Sequence, residues 1–444
     1  RISPPCFCMP CPALSLATCA IRRRIGATEF VHSRQGAEPS EASSQPALHD
    51  PLDGQPAPEH IAVIMDGNRR YGQREFGNKL EGHEAGCRQL DEFARWCLQV
   101  GVRVLTVFAF STENWKRGHE EVVALMDLIR SNISKFGDCK YKLRFLCSEP
   151  EKIPFDIMSI AQKTERDTGD CTGLQLNICL SYGGRSDVVR ACRQLCREVV
   201  AGTLKVDAIN EELLSNRLLT AGLPDPKVLI RTGGEFRISN FLLFQLAHAE
   251  MFFLNKLWPE LSFHDFREVL AGKREDLARP QELCKNIVGR SVPEHLAVII
   301  GCDCGLNAGR QLEQFTEWCF SVGVCVLTIF IRTDCEPVPA KDIKEARARD
   351  IVHEIRSLSG CHGFNCKVRF LHSEPEMIPA DARSDLRELE TNARDPSGLH
   401  LNICLSYGGR SDMVQACRRL CEEAAAGEIK ADAIDEELLS SRLL

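Results

Sequence analysis

The feature that most constrains this chain is an internal duplication. Three segments return at an offset of 225 residues: FLCSEPEKIP at 145, LNICLSYGGRSDVV at 176 and AINEELLSNRLL at 208. Repeated sequence predicts repeated supersecondary structure. We therefore expect one fold twice, as copy one at 57–275 and copy two at 291–444, with a linker at 276–290.

The two copies are not equivalent in sequence. The offset is 235 at His295, the counterpart of His60, but 222 at Cys319, the counterpart of Cys97. Copy two therefore lacks thirteen residues there, including the counterpart of His83. It also stops at the counterpart of Leu219, so we expect a degenerate, C-terminally truncated copy. Residues 1–55 are rich in Ala, Pro, Ser and Cys, which predicts a disordered or targeting extension.

Short apolar runs alternate with amphipathic stretches in both copies. Copy one contains HIAVIM, VLTVFAF, LRFLC, LQLNICL, KVLIRT and EMFFL. Apolar strands separated by helices predict an α/β fold, with a central, mostly parallel sheet flanked by helices and tandemly duplicated. Ligands of such sheets bind at the carboxyl ends of the strands.

Composition excludes several classes of protein. The formal net charge of −7 argues against a nucleic-acid partner, because such binders usually carry a basic surface. No apolar run reaches the roughly 18 to 20 residues of a membrane span, although a peripheral membrane contact stays open. The 23 cysteines are scattered through apolar runs, which predicts reduced, buried thiols in an intracellular protein.

The stretch MDGNRRYG at 65–72 places polar residues directly after the first strand. A helix beginning near Asn68 offers free backbone N–H groups to a phosphate, and Arg69 and Arg70 add charge. Asp66 would repel that phosphate unless Mg²⁺ lies between them. On this motif alone, a helix N-cap followed by solvated arginines is an equal alternative.

Two further clusters follow later strands. In FSTENWKRG at 110–118, hydroxyl and amide groups precede Arg117, although an ordinary helix-entry turn would look similar. In RTGGEFRISNF at 231–241, Arg231, Arg237 and Ser239 surround a glycine turn, which favours a diphosphate site. SYGGRSD occurs in both copies, so it is either catalytic or a structural turn.

Glu250 lies in the apolar run LAHAEMFFL. Burying a carboxylate is costly unless it is paired or binds a metal. This position therefore predicts a second metal ligand or a buried ion pair.

Taken in order, the motifs HIAVIMDGNRR, GHEAG, FAFSTENWKR, SYGGRSD, IRTGGEFRISNFLLFQLAHAE and LWPE resemble the cis-prenyltransferases, the undecaprenyl and dehydrodolichyl diphosphate synthases. The resemblance covers essentially all of copy one. It implies the α/β cis-prenyltransferase fold rather than the all-helical trans-prenyltransferase fold. It also implies a dimer and a Mg²⁺-dependent condensation of isopentenyl diphosphate with an allylic diphosphate such as farnesyl diphosphate.

The resemblance also assigns roles by position. Asp66 and Asn114 would be catalytic, and Asp66 and Glu250 would hold Mg²⁺. The residues implied for the allylic substrate and the catalytic loop are Gly67, Asn68, Arg69, Arg70, Tyr71, Lys79, His83, Ser111, Thr112, Glu113, Trp115 and Arg117. Those implied for isopentenyl diphosphate are Arg231, Arg237, Ile238 and Ser239.

Some positions depart from the family pattern. Tyr71 replaces the usual Trp, Lys79 a frequent Arg, and Ser181 the usual Asn. The Arg-X-Gly motif that completes the active site across the family's dimer is absent after LWPE. In eukaryotic relatives a catalytically silent homologous subunit supplies it.

Copy two carries Gly301, Asp303, Cys304 and Gly305 in place of Asp66, Asn68, Arg69 and Arg70, and TDCEP in place of STENW. We therefore expect copy two to have kept packing and lost chemistry, and the dimer to be a homodimer or a pseudo-heterodimer of the two copies. The rival hypothesis is a non-catalytic partner or lipid-binding protein. The expected location is the cytoplasmic face of the endoplasmic reticulum, with a plastid as the alternative.

Overall fold

A computed structural model describes residues 56–136, 141–272, 292–300, 315–316, 318–331, 349, 352, 366–392 and 398–444. The predicted extension at 1–55 and the predicted linker at 276–290 lie outside the described residues. Both copies belong to one compact unit, Asp50–Leu444. In the described parts of the chain, no helix is both long and apolar enough to cross a bilayer.

The described part of copy one contains a six-stranded parallel sheet. Its strands are β1 (His60–Ile64), β2 (Val104–Ser111), β3 (Lys142–Leu146), β4 (Gln175–Tyr182), β5 (Val228–Arg231) and β6 (Glu250–Phe253). Their order is β3-β4-β2-β1-β5-β6, and every pair is parallel. The prediction of a parallel sheet is confirmed, and each predicted apolar run supplies one strand.

Helices connect and cover these strands. They are α1 (Asn68–Glu75), α2 (Lys79–Val100), α3 (His119–Phe136), α4 (Phe155–Asp167), α5 (Gly184–Val200), α6 (Glu211–Ser215) and α7 (Phe263–Leu270). Local sequence sets the ends of α2. The Asn78 side chain accepts a hydrogen bond from Leu80 N at the start, and Gly101 ends the helix at φ 87°.

The described part of copy two repeats four of the six strands of copy one. The described part includes the strands β7 (His295–Ile300), β8 (Val326–Ile331), β9 (Cys366–Leu371) and β10 (Leu399–Cys404), and the helices α8 (Ala380–Asn392), α9 (Gly409–Ala425) and α10 (Glu436–Ser440). Residues 315–316 and 318–322 are helical as well. The order β7-β8-β10-β9 matches β1-β2-β4-β3 of copy one. The predicted duplication is therefore present in the fold.

The two copies pack against each other through α5 and α9, whose apolar faces share one core. The contacts obey the 225-residue offset. Arg193 donates to the Ile434 carbonyl (2.6 Å), and its counterpart Arg418 donates to the Ile209 carbonyl (2.7 Å). Such reciprocity is the signature of an isologous, two-fold interface, here formed within a single chain.

Cysteines lie at the centre of this interface. Cys196 meets its own counterpart, Cys421, with 3.1 Å between the two sulfur atoms. Cys192 hydrogen bonds to Cys196 and to its counterpart Cys417. All four side chains are fully buried in the shared core, as predicted for reduced thiols.

Candidate anion-binding cavity at the strand ends

A cavity of about 1320 Å³ opens at the carboxyl ends of β1, β2 and β5. One part is apolar, lined by side chains such as Leu125, Ile129 and Ile133 of α3. The rest is polar, and most of the predicted site residues line it: Asp66, Gly67, Asn68, Arg69, Arg70, Lys79, His83, Ser111, Glu113, Asn114, Arg117, Arg231, Arg237 and Ser239. The structure thus brings the three motif loops of copy one together.

Asp66 lies between the loops that follow β1 and β5. Its Oδ1 accepts a hydrogen bond from Gly67 N (2.7 Å), and its Oδ2 accepts one from Arg231 (2.8 Å). Arg70 lies 3.6 Å from Oδ1 on the other side. The carboxylate is about one-third exposed, so it faces the cavity while two arginines fix its position.

The start of α1 forms one wall of the cavity. Gly67 occupies the N-cap position at φ 104°, a left-handed conformation that favours glycine. Asn68 donates to the Met65 carbonyl (3.1 Å), while its Oδ1 is buried without a partner among the described residues. A side chain at Gly86 would lie 2.3 Å from that oxygen, so glycine is required for this approach.

The loop after β5 forms the opposite wall around Arg231, which is 3% exposed. Its guanidinium donates to Ser239 Oγ (2.7 Å) and to the Arg237 carbonyl, in addition to Asp66. Ser239 adopts φ 50°, a conformation that a non-glycine residue holds only when its surroundings fix it. Arg231 therefore organises this loop and holds it against Asp66.

The loop after β2 supplies the third wall. Ser111 N donates to Asn114 Oδ1 (3.2 Å), which fixes the amide beside the cavity. Glu113 accepts a hydrogen bond from Asn240 of the β5 loop (3.0 Å). These bonds tie the second and third motifs together.

The cavity carries a strong excess of positive charge. Eight cationic side chains line it against the four carboxylates of Asp66, Glu113, Glu235 and Glu436, although the chain as a whole is acidic. Forked arginine donors suit phosphate oxygens. The arrangement is therefore built for a polyanion.

His83 lies in this cavity as a neutral ring. Burial, together with the nearby Arg117, lowers its pKa to about 4. Its Nε2 is buried and has no partner among the described residues. A neutral imidazole with a free ring nitrogen can bond a ligand without adding charge.

Four predicted contacts do not reach the cavity lining. Tyr71 packs against Phe76 and beneath Arg74, on another face of α1. Thr112 Oγ1 lies where a side chain at Gly183 would be, 2.7 Å from its ideal Cβ position. Neither side chain lines the cavity, and their direct contacts with substrate stay predictions from the sequence.

Trp115 and Ile238 are the other two. The Trp115 indole donates to Ser181 Oγ (2.8 Å), and its ring packs on Phe110. Ile238 packs against the core beneath the β5 loop. Both side chains support the loops rather than line the cavity.

Glu250 requires a larger correction. It is exposed at the start of the edge strand β6, so the premise that it is a buried carboxylate is wrong. It pairs with Val228, which pairs with Ile61, so Glu250 lies level with the start of β1. Asp66 lies beyond the other end of β1, roughly 16 Å further along the strand direction at ~3.3 Å per residue, and β1 and β6 are separated by β5. Within this chain the two carboxylates do not share a metal site.

The residues fit Mg²⁺ in a different way. Among the described residues, no group of three or more His, Cys, Asp or Glu side chains is placed to hold a metal ion. Mg²⁺ is commonly held by one or two carboxylates together with substrate phosphate oxygens. Asp66, facing a cationic cavity, matches the single protein carboxylate of such a shared site.

SYGGRSD behaves as a structural turn in both copies. Tyr182 donates to Asp187 (3.2 Å), and the counterpart Tyr407 donates to Asp412 (2.8 Å). The serines that open the turn, Ser181 and Ser406, share a positive φ of 49° and 46°. The same geometry in both copies favours the structural alternative for the turn itself, while Arg185 within it lines the cavity of copy one.

Sequence reasoning missed several polar residues of the lining: Gln73, Arg74, Asn132, Arg185, Asn240 and Glu436. The helical spacing of Gln73 and Arg74 after Arg70 could have identified them, because residues three and four apart share a face. Glu436 belongs to copy two and accepts a hydrogen bond from Ser186 Oγ of copy one (2.8 Å). No local sequence pattern predicts a contact between residues so far apart in the chain.

The counterparts of the motif loops in copy two, at 301–305 and 333–337, lie outside the described residues. The predicted loss of chemistry in copy two therefore stays a prediction from sequence.

Comparison with known proteins finds similarity to undecaprenyl diphosphate synthases. A family model described as undecaprenyl diphosphate synthase matches residues 64–275 and 302–444. The tritrans,polycis-undecaprenyl-diphosphate synthase (geranylgeranyl-diphosphate specific) of Pyrococcus horikoshii is 41% identical over 218 residues, 48% of this chain and 83% of that protein.

Two other relatives extend this comparison. The ditrans,polycis-undecaprenyl-diphosphate synthase ((2E,6E)-farnesyl-diphosphate specific) of Xanthomonas axonopodis pv. citri is 42% identical over 221 residues, 49% of this chain and 85% of that protein. The solved structure of lavandulyl diphosphate synthase from Lavandula x intermedia, in complex with dimethylallyl diphosphate, is 30% identical. It covers 49% of this chain and 96% of its own, with a TM-score of 0.47.

Proposed function

Because this chain belongs to the undecaprenyl diphosphate synthase family of cis-type prenyltransferases, we propose that copy one condenses isopentenyl diphosphate with an allylic diphosphate in a Mg²⁺-dependent reaction. The product is a cis-polyprenyl diphosphate. The two relatives named above are specific for geranylgeranyl and farnesyl diphosphate, so the allylic substrate is proposed to be one of this size.

One observation carries the proposal. Eight cations surround the polar part of a cavity whose other part is apolar. A diphosphate with a prenyl tail needs this combination, because its two ends require opposite surroundings. The volume of about 1320 Å³ leaves room for a chain longer than either substrate.

Different walls of the cavity are proposed to bind the two substrates. Arg69, Arg70 and the start of α1 are proposed to bind the allylic diphosphate, and His83 Nε2 can donate a hydrogen bond to it when that nitrogen carries the ring proton. Arg237 and Ser239 are proposed to bind isopentenyl diphosphate on the loop that Arg231 organises.

The reaction breaks the allylic C–O bond, joins the allylic carbon to the isopentenyl double bond and releases one proton. Asn114 is held beside the cavity by Ser111 N and is proposed to orient the isopentenyl group for proton loss. The apolar wall excludes water from the allylic cation. Asp66 would hold Mg²⁺, which when bound stabilises charge on the departing diphosphate.

Copy two is proposed to act as a built-in partner. It packs on α5 of copy one through the reciprocal contacts described above, and Glu436 reaches the cavity lining. Tethering makes this association intramolecular, at an effective concentration on the order of millimolar. The chain is thus proposed to be a pseudo-heterodimer.

The test is an incubation of the full chain with labelled isopentenyl diphosphate, Mg²⁺ and either farnesyl or geranylgeranyl diphosphate, followed by product sizing. We expect elongated products with new cis double bonds, and no turnover with EDTA. Binding of both diphosphates without any product would favour the rival, a lipid-binding partner protein.

A further inference from the structure

The strands β1 and β7 have closely similar sequences but different neighbours. In copy one, β1 lies between β2 and β5 and is paired on both sides. In copy two, β7 pairs with β8 and stands at the edge of its sheet. Within the described residues, the other side of β7 therefore presents unpaired backbone groups, which are a template for another strand.

The side chains of β7 carry the same mismatch. Ile299 is 75% exposed, whereas its counterpart Ile64 is 6% exposed. Leu296 and Val298 are partly buried, while all five residues of β1 are buried. An edge strand with branched apolar side chains in solvent is characteristic of a surface that binds a partner.

His295 adds a directional contact. In copy one, His60 Nε2 bonds Thr106 (2.8 Å), and its Nδ1 bonds the Pro224 carbonyl just before β5 (2.6 Å). His295 Nε2 keeps the matching bond to Thr328 (2.8 Å). Among the described residues nothing bonds its Nδ1, and the ring is exposed. Thr328 thus orients the ring as Thr106 orients His60.

We propose that the free edge of β7 binds an extended segment of the β5 type as a fifth, parallel strand. The segment has branched apolar residues in its strand and a proline carbonyl before it, which the His295 ring recognises. This proposal does not depend on the proposed catalysis.

Copy one supplies the template for the occupant. Val228–Arg231 pairs with Ile61–Ile64 in register. Two bonds frame the pair: Lys227 N donates to the His60 carbonyl (3.0 Å), and Thr232 N donates to the Ile64 carbonyl (3.3 Å). Because β7 keeps the apolar pattern of β1, a segment with the sequence of β5 fits the same register.

The experiment uses hydrogen exchange on the full chain. The probe is a synthetic peptide of residues 222–233, GLPDPKVLIRTG, and the control peptide carries Leu229→Pro, which removes a strand amide. We expect the first peptide to slow exchange within 295–300 by about tenfold and the control to have no effect. Residues 60–64 serve as an internal reference, because β1 is already paired and should not respond.

A second version of the experiment allows for a peptide that binds only weakly. Residues 220–272 are fused after Leu444, with and without Leu229→Pro in the fused segment, so that the strand is supplied at high effective concentration. We expect protection of β7 only in the unaltered fusion, and less of it with His295→Phe. Equal exchange of β7 in both fusions, or protection that ignores the proline, overturns the proposal.

Discussion

All residues of β1, the first strand of copy one, are buried, whereas residues 295–299 of its counterpart β7 are exposed or only partly buried. Both strands share their apolar pattern and the bond between a histidine and a threonine. Among the described residues, β1 has β5 on its second side, whereas β7 is paired only with β8. The loop that follows β5 contacts Asp66 through Arg231. One segment of copy one, β5 and the loop after it, therefore contributes both to the sheet and to the cavity.

The largest expected effect tests whether the chemistry resides in copy one alone. Asp66→Asn keeps an acceptor for Gly67 N but removes the charge that faces the cavity. Turnover should fall by about a thousandfold or more, because metal stabilisation of the leaving group is worth several kcal/mol. Steady-state kinetics with a thermal melt check this. A variant that retains full activity would break the contrast between the copies.

The next effect separates the two arginine loops of copy one. Arg70→Ala should raise the KM for the allylic substrate, and Arg237→Ala the KM for isopentenyl diphosphate. Each removes a charge-assisted contact worth roughly 1.5 to 3 kcal/mol. Varying one substrate at a time measures this. If both variants affect both substrates equally, the two diphosphate sites are merged or exchanged.

The buried and exposed histidines give a smaller, pH-dependent effect. Burial lowers the pKa of His60 to about 4. Between pH 6.5 and 4 the unfolded chain therefore binds a proton that the folded chain does not, so stability falls as pH falls. His60→Gln should lose about 2 kcal/mol less than the parent between pH 7 and 5 in urea unfolding.

His295→Gln is the matched control for this experiment. His295 makes the matching bond to Thr328 (2.8 Å) from an exposed position, so its replacement should cost less stability at pH 7 than the replacement of His60. A pH dependence that His60→Gln does not reduce would place its origin in other buried groups, such as His83.

The smallest effect compares one arginine in the two copies. Arg410 donates to Asp225 (2.6 Å) and to the Phe244 carbonyl (2.9 Å), whereas its counterpart Arg185 is exposed at the cavity. Arg410→Ala should cost about 1 kcal/mol in stability, since Asp225 is partly exposed. Arg185→Ala should leave the melting temperature unchanged and raise the KM for a diphosphate. Reversed effects would contradict the assignment of the two arginines.

The sheet could be predicted from sequence because its strands are nearly continuous apolar runs. Several of these runs also return in copy two, which supports their assignment as strands. The loop positions followed from the rule that ligands bind at the carboxyl ends of parallel strands. Glu250 failed because an apolar run does not reveal whether its strand is central or at an edge. Tyr71 lies outside the cavity lining because one helical step from Arg70 turns a side chain to another face.

Other features depended on contacts between distant segments. Arg231 was predicted as a ligand, but its buried bonds to Ser239 and Asp66 show that it also organises the loop. Glu436 lies 250 residues from its partner Ser186. Such contacts appear only once the two copies are packed.

The reciprocal contacts of Arg193 and Arg418 also have a genetic consequence. In a dimer of identical chains, one mutation alters both halves of a two-fold interface at once. Here each half is encoded by its own stretch of the gene, so a mutation changes only one of the two arginine contacts. Selection then acts on each half separately, and the two faces are free to specialise while the pairing persists.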